Sequence, residues 1–174
     1  EGEKSIVDIL NEKNENSGFN MNTFDQINNL DSIPFPNYDN YELDEYEEKR
    51  LPITGSRGCI RRCTFCDIHD HWKYTYRDGE KVAEEVLTAS QKYNIFDFGF
   101  TDSLVNGNIK EFNKFISVIS KYNTDNPTKK ISWSGQFIFR SPSRQINDVY
   151  WENISRSGGK KLALGLESGS EKVR

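Results

Sequence analysis

Hydrophobic and polar residues follow two regular patterns from about residue 50 onward. Short apolar runs alternate with longer segments in which apolar residues recur every three or four positions. The first pattern is typical of buried strands, and the second is typical of amphipathic helices. The short runs predict four strands, at 51–54, 94–100, 130–139 and 161–166. The longer segments predict helices at 79–93, 109–122 and 143–157, and the first turn of another at 170–174.

The order of these elements predicts an α/β fold. Strand and helix alternate, and the strand centres lie about 30–45 residues apart, which is one complete βα unit each time. Such alternation produces parallel strands joined by right-handed crossovers. Four units favour an open or incomplete barrel over a closed eight-stranded one.

Residues whose side chains can bind ligands or take part in catalysis follow each predicted strand. Ligands of such folds bind at the carboxyl ends of the strands. In chain order these positions hold a cysteine cluster (Cys59, Cys63, Cys66), then Asp102, then Arg140, then Glu167 and Ser168. We therefore expect a single site at this end of the sheet.

The first 48 residues differ from the rest in pattern and charge. A short amphipathic helix is predicted at 1–13 and a loop at 14–22, while 23–46 is predicted to be an irregular linker rather than a packed element. Residues 1–48 hold 13 acidic and 2 basic residues (−11), whereas 49–174 hold 14 acidic and 21 basic residues (+7). A change this sharp indicates a boundary between two structural units near residue 49.

Composition excludes several classes of protein. The chain has 174 residues, a net charge of −4 and a hydrophobic fraction of 34%. No apolar run approaches the roughly 20 residues that a bilayer span needs, so we expect no membrane segment. Three cysteines within eight residues do not form a disulfide framework, and a reducing cytoplasm is the expected compartment. The charge of +7 over 126 residues is not by itself a nucleic-acid signature.

The three cysteines have the spacing C-x-x-x-C-x-x-C, and three thiolates on one loop can converge on a soft metal centre. Structural zinc sites usually use four protein ligands, whereas iron–sulfur clusters are held by cysteine thiolates. Three cysteines would leave one iron of a cubane cluster open to an exogenous ligand. The alternative is a Cys3His zinc site, with His69 or His71 as the fourth ligand.

At this loop the sequence resembles the radical S-adenosylmethionine (radical SAM) enzymes. Their signature is C-x-x-x-C-x-aromatic-C, and Phe65 occupies the aromatic position. Arg57-Gly58-Cys59 resembles the family's "RGC" entry to the loop, and the GLESGS segment at 165–170 resembles its "GxESGS" motif on the fourth strand. The resemblance covers residues 50–174 and implies a partial (β/α)6 TIM-like barrel, of which about four βα units are present.

The resemblance also implies roles for individual residues. Cys59, Cys63 and Cys66 would each bind one iron of a [4Fe–4S] cluster, and SAM would chelate the fourth. Phe65 would pack near the SAM adenine, and Arg140 would pair with the SAM carboxylate. Glu167 and Ser168 would lie along the SAM ribose or methionine moiety. An electron from the cluster would then cleave SAM to methionine and a 5′-deoxyadenosyl radical; the residue that acts on the substrate is not assigned.

One motif departs from the common family pattern. Many members carry a Gly-Gly-Glu stretch after the second strand, which binds the SAM amino group, whereas this chain has Phe100-Thr101-Asp102-Ser103. An aspartate there is similar to the subgroup that has an upstream cobalamin-binding domain, and Asp102 could accept the amino hydrogen bonds or only cap the following turn. Residues 1–48 also resemble the junction after such a domain. The resemblance therefore implies a junction at 1–48 that follows an absent cobalamin domain, and a radical SAM core at 49–174 that is truncated at its C-terminus.

These features predict a radical SAM enzyme with a [4Fe–4S] cluster, SAM and, in the full-length protein, cobalamin. We expect a small-molecule substrate and an electron donor such as flavodoxin or ferredoxin, without a membrane or nucleic-acid partner. Two alternatives remain: an RNA-modifying methylthiotransferase, and a Cys3His zinc module.

Overall fold

The computed structural model describes residues 26–140, 143–144 and 146–172, together with Glu3 and Ile6. Within this part of the chain, strands and helices follow one another in the order β1 (Leu51–Ile53), β2 (Ser56–Arg57), α1 (Ile68–His71), β3 (Thr75–Tyr76), α2 (Gly79–Tyr93), β4 (Asp97–Phe100), α3 (Ile109–Asp125), β5 (Ser132–Phe137), α4 (Asp148–Arg156) and β6 (Gly159–Leu164).

The main sheet has four parallel strands in the order β1-β4-β5-β6. Each strand lies beside the next one along the chain, with one long helix between them. The sheet therefore winds in one direction, as the wall of a barrel does. This arrangement confirms the predicted α/β fold: of the four parallel strands, the first three are each followed by a long helix in the described part of the chain. A second, small sheet pairs β2 with β3 in antiparallel orientation.

The long helices begin at side-chain caps. The carboxylate of Asp78 accepts a hydrogen bond from the Glu80 backbone N–H at the start of α2, and the Asn108 side chain accepts from two backbone N–H groups at the start of α3. Helix α2 has the predicted bounds, and it ends where Asn94 adopts a left-handed conformation (φ 52°). Helix α3 continues three residues beyond the predicted end at residue 122.

Other element boundaries differ from the prediction for identifiable reasons. Strand β5 begins at residue 132 rather than 130, because the backbone of Ile131 makes both its hydrogen bonds with the side chain of Asn123. Helix α4 begins at residue 148 rather than 143, because Asn147 caps it and Ser143 pairs with Ile146 in an isolated bridge. Strand β6 begins two residues early, directly after Gly158 turns the chain with φ 81°.

The hydrophobic core lies between the sheet and its helices, and Trp133 is at its centre. This side chain is 0% exposed, and its ring makes edge-to-face contacts with Phe100, Phe112 and Phe115 at centroid distances of 5.6–5.9 Å. The indole N–H donates a 3.1 Å hydrogen bond to the Ser157 hydroxyl. The core therefore satisfies the one polar atom of its largest side chain.

The opposite face of the sheet is polar. Because side chains alternate along a strand, the neighbours of core residues point to this face. At the amino end Asp97 accepts a 3.1 Å bond from Arg50 and a 2.7 Å bond from Ser132, and at the carboxyl end the Thr54 and Thr101 hydroxyls lie 2.8 Å apart. The amino end of this face is thus closed by an ionic network, whereas the carboxyl end presents hydroxyl groups.

The expectation that residues 23–46 are not packed is wrong for the part described, 26–46. The segment is irregular, with short 3-10 turns at Leu30–Ser32 and Leu43–Glu45, but Leu30 is only 2% exposed. Tyr38 packs against the core, and its backbone N–H donates to the Tyr93 hydroxyl over 2.9 Å. The apolar residues of this segment have no fixed period, so a pattern search does not detect their burial.

Two terminal predictions fall largely outside the described residues. Of the helix predicted at 1–13 only Glu3 and Ile6 are described, and the loop predicted at 14–22 is not described. At the other end a turn occupies residues 171–172, where a helix start was predicted, and residues 173–174 lie outside. In the described part of the chain no helix is both long enough and apolar enough to cross a bilayer.

Candidate functional site

The cysteine loop, residues 58–74, lies at the carboxyl end of β1, between the paired strands β2 and β3. It begins at Gly58, which has φ 76°. A Cβ atom at this position would lie 2.9 Å from the carbonyl oxygen of Lys73, at the other end of the loop. Only glycine accommodates both the left-handed backbone and this close approach. The loop therefore returns to its starting point.

All three cysteines are free thiols on this loop. Cys63 is exposed, while Cys59 and Cys66 are partly buried. The Cys66 backbone N–H donates to the Cys63 carbonyl over 3.0 Å, and the Arg61 N–H points to the Cys59 Sγ at 3.4 Å. Among the described residues, no three cysteine, histidine or acidic side chains form a group that could hold a metal ion. The structure thus places the thiols on one accessible loop without bringing them together.

The other predicted residues of the loop face outward or pair locally. Phe65 is 71% exposed. His69 lies 3.0 Å from the Asp70 carboxylate, and the His71 imidazole is 3.7 Å from Asp67. Both histidines contact acidic neighbours on or beside α1, and in the described part of the chain neither joins two of the thiols in a group that could hold a metal ion.

Asp102 follows β4 and is only 4% exposed. One carboxylate oxygen accepts a 2.9 Å hydrogen bond from the Gly55 backbone N–H, and the other accepts a 2.5 Å bond from the Ser56 hydroxyl. Burial raises the pKa of Asp102 from 3.8 to about 6, against the effect of these hydrogen bonds. The structure thus joins Asp102 to the start of the cysteine loop rather than exposing it.

Arg140 follows β5 and reaches the loop after β4. Its guanidinium donates to the backbone carbonyls of Asn106 and Gly107 over 3.1 and 3.0 Å. Its Nε atom is buried and has no hydrogen-bond partner among the described residues. The Asn106 side chain, 1% exposed, makes two further bonds to the backbone of Ile138. Together Arg140 and Asn106 fasten the loop after β4 to the end of β5.

The segment after β6 contains the last two predicted site residues. Glu167 is exposed and has a positive φ of 47°, and Ser168 is half-buried. The Ser168 hydroxyl accepts a 3.1 Å bond from the Ser170 N–H. These residues lie at the same end of the sheet as the others, because all four strands are parallel.

Sequence reasoning missed two neighbours of this site. Tyr74, at the end of the cysteine loop, packs with its hydroxyl against Gly107, and burial raises the pKa of its phenol to about 12. Arg77 is 7% exposed, and it donates to Thr54 and pairs with the buried carboxylate of Glu85 at 2.6 Å. A motif search does not find such residues, since their roles depend on contacts between distant segments.

Comparison with known proteins places this geometry in a wider context. No family model matches the chain. Cytidylyl-2-hydroxyethylphosphonate methyltransferase from Streptomyces wedmorensis is 22% identical over 185 aligned positions, which cover 98% of this chain and 33% of that protein. The uncharacterized methyltransferase PH0819 from Pyrococcus horikoshii is 27% identical over 152 positions, 84% of this chain and 31% of the relative. The chain thus spans about a third of the length of these curated relatives.

Two solved structures of the radical SAM methyltransferase TsrM from Kitasatospora setae match the fold. The structure with cobalamin and a [4Fe–4S] cluster has a TM-score of 0.55 and 18% identity, over 66% of this chain and 22% of TsrM. The structure with tryptophan and the SAM analogue aza-SAM has a TM-score of 0.59 and 17% identity, over 71% of this chain and 23% of TsrM. This chain shares the fold of TsrM over about two thirds of its own length. That fold is the one that the sequence resemblance implied.

Proposed function

We propose that this chain is the cluster-binding part of a radical SAM enzyme of the cobalamin-associated methyltransferase type. The observation that carries the proposal is the C-x-x-x-C-x-x-C loop at the carboxyl end of the first strand of a radical SAM fold. The likeness to two methyltransferases and to TsrM supports it.

Cys59, Cys63 and Cys66 would hold a [4Fe–4S] cluster. The donor set fits, because three free thiols on one accessible loop suit a soft iron–sulfur centre and leave one iron for another ligand. Assembly must draw the thiols together, since the loop spreads them out. When bound, the cluster supplies the electron for reductive cleavage of SAM.

Other residues at the same end of the sheet would bind SAM. The buried Nε–H of Arg140 is a donor still available to the SAM carboxylate. The exposed ring of Phe65 would pack on the adenine, and Glu167 and Ser168 would contact the ribose or methionine moiety. The sequence resemblance offers Asp102 for the SAM amino group, but we do not assign it this role, because Gly55 and Ser56 already donate to both its oxygens.

Residues 1–48 would form the junction between a preceding cobalamin-binding domain and the core at 49–174. Their net charge of −11 and the irregular backbone of residues 26–46 support this division. An electron donor such as flavodoxin or ferredoxin would reduce the cluster, and the substrate would be a small molecule. We propose a cytoplasmic location, since the clustered thiols need a reducing compartment.

Metal analysis of anaerobically purified protein tests this proposal. We expect brown protein that contains iron and sulfide in about equal amounts and loses its colour in air. The variant Cys63→Ala should lose the iron, whereas the control Thr64→Ala, an exposed neighbour on the same loop, should keep it. Colourless protein with one zinc per chain would support the Cys3His module instead.

The finer claim, methyl transfer, needs a separate measurement on the full-length protein with cobalamin. SAM with a labelled methyl group should transfer its label to cobalamin and then to substrate. Iron binding without any label on cobalamin would leave the radical SAM assignment intact and contradict the methyltransferase assignment.

A further inference from the structure

The cysteine loop is closed at its base by a short stem. Ser56 pairs with Tyr76 and Arg57 with Thr75, and the Arg77 N–H donates to the Gly55 carbonyl over 2.9 Å. Everything between these pairs, including all three cysteines, is therefore positioned relative to one small antiparallel ladder. The orientation of this ladder decides where the thiols stand above the main sheet.

Two buried hydrogen bonds attach one strand of the stem to the main sheet. An ionised carboxylate can only accept, so the Ser56 hydroxyl donates to one Asp102 oxygen over 2.5 Å. The Gly55 N–H donates to the second carboxylate oxygen. Asp102 and Ser56 are 4% and 5% exposed, so water does not compete for these bonds.

The other end of the cysteine loop is held by packing. Tyr74 lies at this end, and a Cβ atom at Gly107 would be 2.4 Å from its hydroxyl oxygen. Tyr74 is therefore fixed against the loop after β4, which Arg140 and Asn106 hold in place.

We propose that Asp102 is a positioning residue. Through Gly55 and Ser56 it fixes the entry of the cysteine loop to the main sheet, and so keeps the three thiols over the place where a cluster would assemble. It does not bind the SAM amino group. Both carboxylate oxygens serve the stem, and the side chain lies beneath the loop rather than at the open surface. This inference rests on the proposed function only in what the thiols bind; the fixing of the loop is independent of it.

Four variants distinguish a positioning role of Asp102 from direct binding of SAM. Asp102→Asn keeps the shape, because the amide oxygen can accept from Gly55 and the amide nitrogen can donate to Ser56. Asp102→Ala removes both bonds, and Ser56→Ala removes one of them. The matched control is Asn123→Ala, which also removes a buried side chain with backbone hydrogen bonds, two to Ile131 and one to Arg156, but away from the cysteine loop.

The first measurement is hydrogen exchange of the metal-free protein over residues 56–77. Asp102→Ala and Ser56→Ala should exchange about tenfold faster there than the wild type, while Asp102→Asn and Asn123→Ala should match it. The second is the rate at which a chelator removes iron from the anaerobic protein, which should rise about tenfold in the same two variants. Both measurements follow the loop itself rather than turnover.

One pattern of results would overturn the proposal. Asp102→Ala would show unchanged hydrogen exchange and unchanged iron retention. In addition, the change that SAM causes in the electron paramagnetic resonance (EPR) spectrum would be lost in Asp102→Ala and Asp102→Asn but kept in Ser56→Ala. That pattern would make Asp102 a SAM ligand. If the wild type bound no iron at all, the proposed function would be wrong, and hydrogen exchange would still decide whether Asp102 fixes the loop.

Discussion

The side-chain amide of Gln26 makes two hydrogen bonds with the backbone of Lys73, one as donor and one as acceptor. Its Nε2 donates to the Lys73 carbonyl over 2.6 Å, and its Oε1 accepts from the Lys73 N–H at 2.9 Å. The two residues are 47 positions apart, so the segment before the first strand directly supports the end of the cysteine loop. Glu3 makes a second contact of this kind, an ion pair with Arg57 at the loop entry.

Replacing Gln26 should therefore loosen the cysteine loop. Gln26→Ala removes both bonds, at a cost of about 1 kcal/mol because the site is solvent-exposed. Trypsin should then cleave at Lys73 roughly fivefold faster, since proteolysis follows the population of the open loop. Gln91→Ala, an exposed glutamine on α2, is the control. Equal cleavage rates in both variants would show that Gln26 does not support the loop.

The left-handed backbone conformation of Gly58, at the loop entry, leads to a second prediction. Gly58→Ala introduces a side chain at φ 76° and within 2.9 Å of the Lys73 carbonyl oxygen. We expect a loss of about 2 kcal/mol in unfolding free energy, measured by urea titration. Gly169→Ala is the matched control, because a Cβ there meets no atom within 4 Å. Two variants of equal stability would mean that the entry tolerates another backbone conformation.

Asp102 makes stability depend on pH. Its folded pKa is about 6, above the ordinary value of 3.8, so the folded protein holds the proton more tightly than the unfolded chain does. This contribution is complete below about pH 4 and is lost as the pH rises to about 6, with a total of about 3 kcal/mol. We therefore expect the unfolding free energy of the wild type, relative to that of Asp102→Asn, to fall as the pH rises from 4 to 7. Urea unfolding of both proteins measures this. Parallel curves would contradict the raised pKa.

The fold was largely predictable from the sequence, because the core obeys simple periods. Val82 and Val86 mark one face of α2, and the predicted bounds of that helix agree with the structure. The prediction was less accurate where a side chain takes over a backbone bond, as Asn123 does at the start of β5. Such exchanges depend on residues far apart along the chain, which a local pattern does not contain.

A buried ion pair beneath the site provides another prediction. Arg77 and Glu85 have side chains only 7% and 8% exposed, and their nearest atoms are 2.6 Å apart. Arg77→Met should cost about 3–5 kcal/mol, because it leaves the Glu85 carboxylate buried without its partner. The double variant Arg77→Met with Glu85→Leu should recover much of that loss. A double variant as unstable as the sum of the singles would show that the pair acts through other contacts, such as Arg77 with Asp31.

The candidate site was predictable in its location but not in its contacts. The parallel order of strands places the cysteine loop, Asp102 and Arg140 at one end of the sheet, as the sequence indicated. The sequence could not show that Asp102 faces Ser56, or that Arg140 bonds to the loop after β4, because those partners lie 33 to 46 residues away. The assignment of cluster and SAM ligands remains a prediction.

The most direct test of the central claim is the EPR spectrum of the anaerobic, reduced protein with and without SAM. If Cys59, Cys63 and Cys66 hold a cluster with one open iron, the wild type should show a reduced [4Fe–4S] signal whose shape changes when SAM is added. Cys63→Ala should show neither signal nor change. A wild-type protein that contains zinc, lacks the signal and does not respond to SAM would contradict the account.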